Sequence, residues 1–246
     1  MSDFQYQLKN ISLKIGRFFK KVLYPEDITC NVCGKDLNKA SEVCLCDECK
    51  LKLPYNNGKK CVKCGKPLDD GGCPSCQKVK HKFKNAFSPF VFDGEAEQLI
   101  KQMKFQNKKY IARTFGFYMA QEYFMAGINV DAILSVPLTK KRFKHRGFDQ
   151  SHKLLIWTNR YLGLEDISSA IIKSKDTLAQ HTLGFRERKE NLKNAFKVMD
   201  KSKIKDKKLL LVDDIFTTGL TVDSVCAELL KAGALEIYVL VAANKK

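Results

Sequence analysis

Between Leu209 and Thr221 the chain reads Leu-Leu-Leu-Val-Asp-Asp-Ile-Phe-Thr-Thr-Gly-Leu-Thr, and this order of residue types narrows the fold more than any other stretch. Four consecutive aliphatics, Leu209 to Val212, fit a strand buried on both faces, as in a parallel sheet. From Thr221 the apolar residues Val222, Val225, Leu229 and Leu230 recur at helical spacing, and Gly233 is placed to close that helix. The order strand, loop, helix puts the intervening residues at a strand's C-terminal edge. There Thr217, Thr218, Gly219, Leu220 and Thr221 offer hydroxyls and backbone N–H groups that can converge on a phosphate at the helix's positive end. Asp213 and Asp214 stand just ahead, where carboxylates can accept from sugar hydroxyls and stabilise positive charge developing on a ribose ring. The plainer reading is a strand exit with a Thr-capped helix.

Eight of the ten cysteines form four Cys-x-x-Cys knuckles, Cys30/Cys33, Cys46/Cys49, Cys61/Cys64 and Cys73/Cys76. Paired thiolates at this spacing are a signature of tetrahedral zinc, and Gly34 and Gly65 supply turns after two of the knuckles. The simplest assignment gives one structural Zn2+ to the first two knuckles and one to the last two. Interleaved pairing, or a single ion with a degenerate second site, are the alternatives. Cys44 is close enough to substitute for Cys46, whereas Cys226 reads as a core residue on the C-terminal helix. With no secretory signal peptide a reducing, cytoplasmic compartment is expected, which argues against disulfides.

A second strand–loop–helix unit is expected where Asp131 to Pro137 runs into Lys140, Lys141, Arg142, Lys144, His145, Arg146 and Gly147. Several cations in one loop suit a diphosphate, and a solvated basic loop or nucleic-acid patch is the alternative. The stretch from Lys173 to Phe196 is polar and basic, with Gln180, His181, Arg186, Arg188 and Asn191 lying between apolar segments, and His181 is a candidate proton carrier within it. Phe83 to Phe92 suggests a strand and Glu95 to Tyr123 a helix. In the first ~25 residues Phe4, Leu8, Ile11, Ile15, Phe18 and Val22 give one apolar helical face beside Lys9, Lys14, Arg17, Lys20 and Lys21. Such a helix docks on its own protein or lies peripherally on the inner face of an anionic membrane. No apolar run approaches the ~18 residues of a membrane span.

The Asp213–Thr221 segment resembles the 5-phosphoribosyl diphosphate (PRPP) motif of type I phosphoribosyltransferases. That resemblance implies that Asp213 and Asp214 contact the ribose hydroxyls, that residues 217–221 hold the 5-phosphate, that Mg2+ accompanies PRPP, and that a segment closes over the site to exclude water, for which Lys173 to Phe196 is the candidate lid. Leu220 stands where relatives often carry alanine. Taken with the knuckles, Val136-Pro137-Leu138, Arg142, Arg146-Gly147-Phe148-Asp149-Gln150, and Gln180, Arg186, Arg188 and Asn191 before Phe196, the chain from about Cys30 onward resembles the ComF family. There the loop motif usually reads Arg-Gly-Phe-Asn-Gln. Asp149 is the departure, and an extra carboxylate there should weaken anion binding unless it is paired or helps hold Mg2+. Lys104 falls in a stretch resembling the family's helix before the core and is a candidate to face the ligand.

The expected organisation is an amphipathic helix over 1–25, a double zinc-ribbon module over 26–80, and an α/β, type I phosphoribosyltransferase-like parallel sheet flanked by helices over 84–246. The resemblance implies a PRPP- and Mg2+-binding protein of DNA uptake and natural transformation, its acceptor unspecified. The alternatives are an inactive single-stranded-DNA-binding competence protein on the same fold, and a nucleobase or amine salvage enzyme. Ser2 rather than cysteine follows Met1, which counts against a self-contained glutamine-dependent type. A formal net charge of +17 implies polyanionic partners, single-stranded DNA with its uptake and recombination proteins among them. Phe83, Phe87 and Phe90 are candidates for stacking on bases, with core packing the stronger reading.

Overall fold

A computed structural model describes residues 29–37, 41–68, 72–139, 141, 143–144, 147–175 and 191–245. The helix expected over 1–25, Lys140, Arg142, His145 and Arg146 of the basic loop, and Gln180, His181, Arg186 and Arg188 of the expected lid lie outside these residues.

Two short helices, α1 (Asp47–Leu51) and α2 (Pro74–Lys78), belong to the cysteine-rich segment. Then follow β1 (Ala86–Phe87), β2 (Phe90–Val91), α3 (Gly94–Phe105), α4 (Ile111–Ala126), β3 (Ala132–Ser135), α5 (Gln150–Leu162), β4 (Glu165–Asp166), β5 (Ile171–Lys173), β6 (Phe196–Val198), β7 (Lys208–Phe216), α6 (Leu220–Lys231) and β8 (Glu236–Asn244). Six strands form one sheet in the order β1-β8-β7-β3-β4, with β2 also on β8, and every pair is parallel. The aliphatic run of β7 explains its central place. Leu210 and Val212 pack into a layer with Phe115 and Met119 of α4 and Leu154 and Leu155 of α5, while Leu209 and Leu211 pack against Val222, Val225 and Leu229 of α6. Both faces are therefore covered, as a parallel strand requires.

The connections give the sheet its functional edge. From β3 the chain crosses through α5 on one face to β4. From β7 it crosses through α6 on the other face to β8. Since β3 and β7 are neighbours, with Val212 opposite Ser135, the winding reverses between them and leaves a crevice at their C-terminal ends. Helix α6 ends as its sequence implies: Ala234 N–H bonds Leu229 O at 3.1 Å and Gly233 N–H bonds Leu230 O at 3.0 Å.

Three expectations are adjusted. The strand over Phe83–Phe92 is two short pieces interrupted at Ser88 and Pro89, which lie between β1 and β2. The helix over Glu95–Tyr123 is two helices, broken across Gln106 to Tyr110, where Asn107 adopts a left-handed φ of 56° that asparagine tolerates. Phe83 and Phe90 are only 1% and 0% exposed, so neither is available to stack on a nucleic-acid base.

The candidate lid leaves and re-enters the fold on adjacent strands. β5 and β6 pair antiparallel, Lys173 opposite Phe196.

The knuckles are built twice to one pattern. Gly34 N–H bonds Cys30 O and Gly65 N–H bonds Cys61 O, each at 2.8 Å, with φ of 74° and 67° that favour glycine. The two copies pack differently. Cys30, Val43, Leu45, Cys49 and Leu53 join the layer of α4 and α5, whereas Cys64 and Cys73 join the layer of α6.

Candidate functional site

Strand β7 does not stop at Val212, as the apolar run suggests, but continues through Phe216, with Asp213 opposite Val241 and Ile215 opposite Ala243. The acidic pair is thus held by sheet backbone beside the crevice. Asp213 Oδ1 accepts from the Ser151 hydroxyl at 2.7 Å and from the Asp214 N–H at 2.9 Å. Asp214 Oδ2 pairs with Lys104 Nζ at 2.8 Å, and these side chains are only 15% and 17% exposed. Burial, reinforced by the charge of Asp214, pushes the Asp213 carboxyl up to about 7. Two neighbouring carboxylates with one close lysine form a set of hard oxygen donors that suits Mg2+ or a sugar diol.

Beyond Phe216 the chain makes the expected turn. Gly219 has φ of 74°, and a Cβ there would lie 2.6 Å from the Phe216 ring and 2.7 Å from the His81 ring, so both backbone and space require glycine. It caps α6, whose first N–H groups have no intrahelical acceptor. Thr217, Thr218 and Thr221 are half-buried around this terminus. Leu220 is 8% exposed and belongs to the α6 core layer, so the side chain that replaces alanine there is spent on packing.

On the β3 side, Lys141 and Gly147 are exposed, and Gly147 N–H bonds Phe143 O at 2.7 Å. Asp149 caps α5, its Oδ1 accepting the His152 N–H at 3.0 Å. Asp149 thereby fills the N-cap position that asparagine fills equally well. Burial still raises the Asp149 carboxyl, and the nearby Asp214 charge adds to the rise. Asn191, the one described residue of the expected lid set, is half-buried just ahead of β6.

The structure adds residues that the sequence reading left out. Ser151 follows the quoted Asp149-Gln150 pair directly, and its place in the first turn of α5 was the available signal. His81 and Asp223 join across 142 positions, with His81 Nδ1 2.8 Å from Asp223 Oδ2, and no sequence pattern announces such a contact.

The cysteines gather as the simplest assignment expects. Cys30, Cys33, Cys46 and Cys49 form one group and Cys61, Cys64, Cys73 and Cys76 another, with all ligand atoms of each within 4.8 Å of one another. Sγ separations of 3.8 Å for Cys33 and Cys46, 3.7 Å for Cys61 and Cys76, and 3.4 Å for Cys64 and Cys73 approach the ~3.8 Å edge of a ZnS4 tetrahedron with Zn–S of ~2.3 Å. Burial pushes the Cys30 thiol up, yet the N–H groups of Cys33, Cys46 and Val32 outweigh it and hold Cys30 at about 7. Each group therefore fits one structural Zn2+. Cys44 belongs to neither: it has φ of 49°, and its Sγ approaches Ser41 O at 3.5 Å.

A parallel sheet with an acidic pair and a glycine-led helix at its switch point, preceded by two four-cysteine groups, defines a phosphoribosyltransferase-like protein with a zinc-ribbon module. The signature of the phosphoribosyl transferase domain matches residues 152–246, and that of the double zinc ribbon domain matches residues 19–80. The chain is similar to DNA utilization protein YhgH of Salmonella typhimurium, 31% identical over 215 residues that cover 85% of this chain and 87% of the relative. It is also similar to competence protein F of Haemophilus influenzae, 30% identical over 206 residues covering 79% and 88%, and to competence protein ComFC of Streptococcus pneumoniae, 23% identical over 227 residues covering 85% and 96%. The chain belongs to the ComF family. Among the described residues no helix is long and apolar enough to cross a membrane.

Proposed function

We propose that this protein binds PRPP with Mg2+ in the crevice between β3 and β7 and acts as a phosphoribosyltransferase in DNA uptake. The observation that carries this reading is the juxtaposition of Asp213 and Asp214 with the Gly219-led N-terminus of α6 at the sheet's switch point. In this reading residues 217–221 hold the 5-phosphate and Asp213 and Asp214 accept from the ribose hydroxyls. Lys140, Lys141, Arg142, Arg146 and Gly147 receive the diphosphate. Asp213 and Asp214 would hold Mg2+, which would supply positive charge to offset that of the departing diphosphate.

The chain's own contribution is electrostatic. Ser151 orients Asp213 through its 2.7 Å hydrogen bond. Lys104 neutralises Asp214 until the ligand arrives, then remains within reach of it as a cation. The acidic pair stabilises positive charge on the ribose ring as the C1–diphosphate bond breaks and the acceptor bonds to C1. The segment between β5 and β6, with Gln180, His181, Arg186, Arg188 and Asn191, closes over the ring and keeps water from it. The organisation that goes with this function is a double zinc ribbon over 26–80 and a phosphoribosyltransferase-like domain over 84–246, working in the cytoplasm with the helix over 1–25 docked on the protein or the membrane's inner face.

A nucleic-acid role has its own support. The net charge of +17, together with relatives named for competence and DNA utilization, favours single-stranded DNA as a second, salt-sensitive partner.

Calorimetric titration of the zinc-loaded chain with PRPP and Mg2+, beside the Asp213→Asn/Asp214→Asn double variant, tests the proposal. Binding at about micromolar Kd that the double variant loses is the expected result. Equal affinity in both proteins removes the site assignment. Absence of binding in both favours a DNA-binding protein on a retired enzyme fold.

A further inference from the structure

Of the two side chains that crowd Gly219, Phe216 and His81, the second comes from outside the strand–helix unit. His81 lies a few residues after Cys76, the last cysteine of the second group, and is 6% exposed. Since a carboxylate only accepts, His81 Nδ1 donates to Asp223 Oδ2 at 2.8 Å, while the Lys82 N–H donates to Asp223 Oδ1 at 2.9 Å. Both oxygens of an acid in the first turn of α6 are thereby tied to the linker. Left loose there, that carboxylate would oppose a phosphate at the same helix terminus. The His81 ring stacks on Phe83 at 4.9 Å and meets Phe216 edge-on at 5.6 Å, with Cε1 only 2.7 Å from the place of a Gly219 Cβ. Its Nε2 is buried with no hydrogen-bond partner among the described residues, an unfavourable arrangement. A ring needed only to fill space here would be phenylalanine. The donor to Asp223 is what the imidazole adds.

The other end of this linker is fastened to the second cysteine group. Cys64 and Cys73 share a core layer with Phe83, Phe216, Leu220 and Val222. Lys63, between two of the cysteines, bonds the carbonyls of Phe83 and Lys84 through Nζ, and its own carbonyl accepts the Ala86 N–H at 2.9 Å. Gly65 packs so closely that a Cβ would stand 2.4 Å from Ala86 O. The first cysteine group is tied instead to α4, where Asn31 Nδ2 donates to Thr114 Oγ1 at 3.0 Å and Thr114 donates to Val43 O at 2.8 Å.

We propose that His81 is a positioning residue for the 5-phosphate loop and that metal in the Cys61/Cys64/Cys73/Cys76 group holds it in place, so that metal loss from this group, and not from the other, weakens phosphosugar binding. The inference rests on the phosphoribosyl reading above. Two probes separate them: ribose 5-phosphate, which needs the loop at Gly219, and inorganic pyrophosphate, which needs only the basic loop after β3.

Titrations use the full zinc-loaded chain. Wild-type protein that fails to bind ribose 5-phosphate overturns the parent reading and this inference with it. Given wild-type binding, His81→Ala is expected to keep its zinc content and pyrophosphate affinity while losing about ten-fold in ribose 5-phosphate affinity, the scale of one hydrogen bond to a charged group. His81→Asn, which keeps a donor near the Nδ1 position, should recover most of that loss. Cys76→Ser should reproduce the selective loss and Cys33→Ser should not. Unchanged ribose 5-phosphate affinity in His81→Ala, equal loss for both probes, or equal effects of the two cysteine variants each overturn the proposal. Should Cys76→Ser fail to fold, the two His81 variants decide the positioning role and zinc withdrawal by a chelator decides the metal's: ribose 5-phosphate affinity that survives loss of the zinc overturns the proposal.

Discussion

Replacing Asp213 by asparagine should make the unliganded protein more stable. The Asp213 carboxyl stands at about 7 instead of its ordinary 3.8, chiefly through burial and then through the charge of Asp214. Because the folded value is the higher one, the native state holds the proton more tightly than the unfolded chain. The resulting penalty on the folded state is absent at low pH, grows as pH climbs from about 4 towards 7 and is complete above that. The full difference corresponds to at most about 4 kcal/mol. Asp213 retains some contact with solvent and Lys104 already neutralises Asp214, so about half, ~2 kcal/mol, is the gain expected for asparagine at pH 8. At pH 5.5 the native carboxyl is largely protonated and the gain falls to about 1 kcal/mol. For a chain of this size these figures mean a Tm higher by roughly 4–8 °C at pH 8 and roughly 2–4 °C at pH 5.5. Asparagine still accepts from Ser151 and the Asp214 N–H, so the local geometry survives. Thermal unfolding of zinc-loaded protein followed by circular dichroism measures the offset directly. A lower Tm for Asp213→Asn at pH 8, or an offset that does not shrink towards pH 5.5, would refute the reasoning. PRPP with Mg2+ at about a hundred times Kd should reverse the order, since only the wild type then gains about 2.7 kcal/mol from the ligand.

Gly219→Ala forces a β-carbon to within 2.6 Å of Phe216 at a left-handed φ of 74°; a loss of at least ~2 kcal/mol in denaturant unfolding is expected, together with loss of ribose 5-phosphate binding in calorimetry. Asp149→Asn, which keeps the cap and removes a buried carboxylate whose titration is shifted upward, should raise Tm at pH 8, and Asp149→Ala, which cannot accept the His152 N–H, should fall ~1 kcal/mol below Asp149→Asn in the same melts.

The elements that could be read from sequence are those whose periodicity coincides with their burial. Leu209 to Val212 are apolar because both faces of β7 are covered, and the spacing of Val222, Val225 and Leu229 is the face that α6 turns to the sheet. The knuckle pairing was equally legible, since two Cys-x-x-Cys turns close in sequence reach one tetrahedron without a long loop to order. The extent of β7 was not. Asp213 and Asp214 look like a strand exit because charged residues rarely continue a buried strand, yet the sheet carries them onward with Ser151 and Lys104 as partners from α5 and α3. Partners of that kind depend on helix placement, which hydrophobic pattern alone does not specify.

The knuckle duplication marks the boundary of such reading from the other side. Two copies with the same turn, the same glycine and the same hydrogen bonds appear interchangeable in the sequence. Their surroundings make them unequal. The first copy packs on the layer that includes α5, whose N-terminal turn supplies Ser151 to Asp213. The second packs on the layer of α6, whose N-terminus faces the crevice with Gly219. A sheet with its winding reversed at β3 and β7 sends its two site-forming helices to opposite faces, so a duplicated module that covers both faces meets each helix once. The two four-cysteine groups thus reach the same crevice by different routes, and among the described residues only the second reaches it through a buried histidine, His81, packed against Gly219.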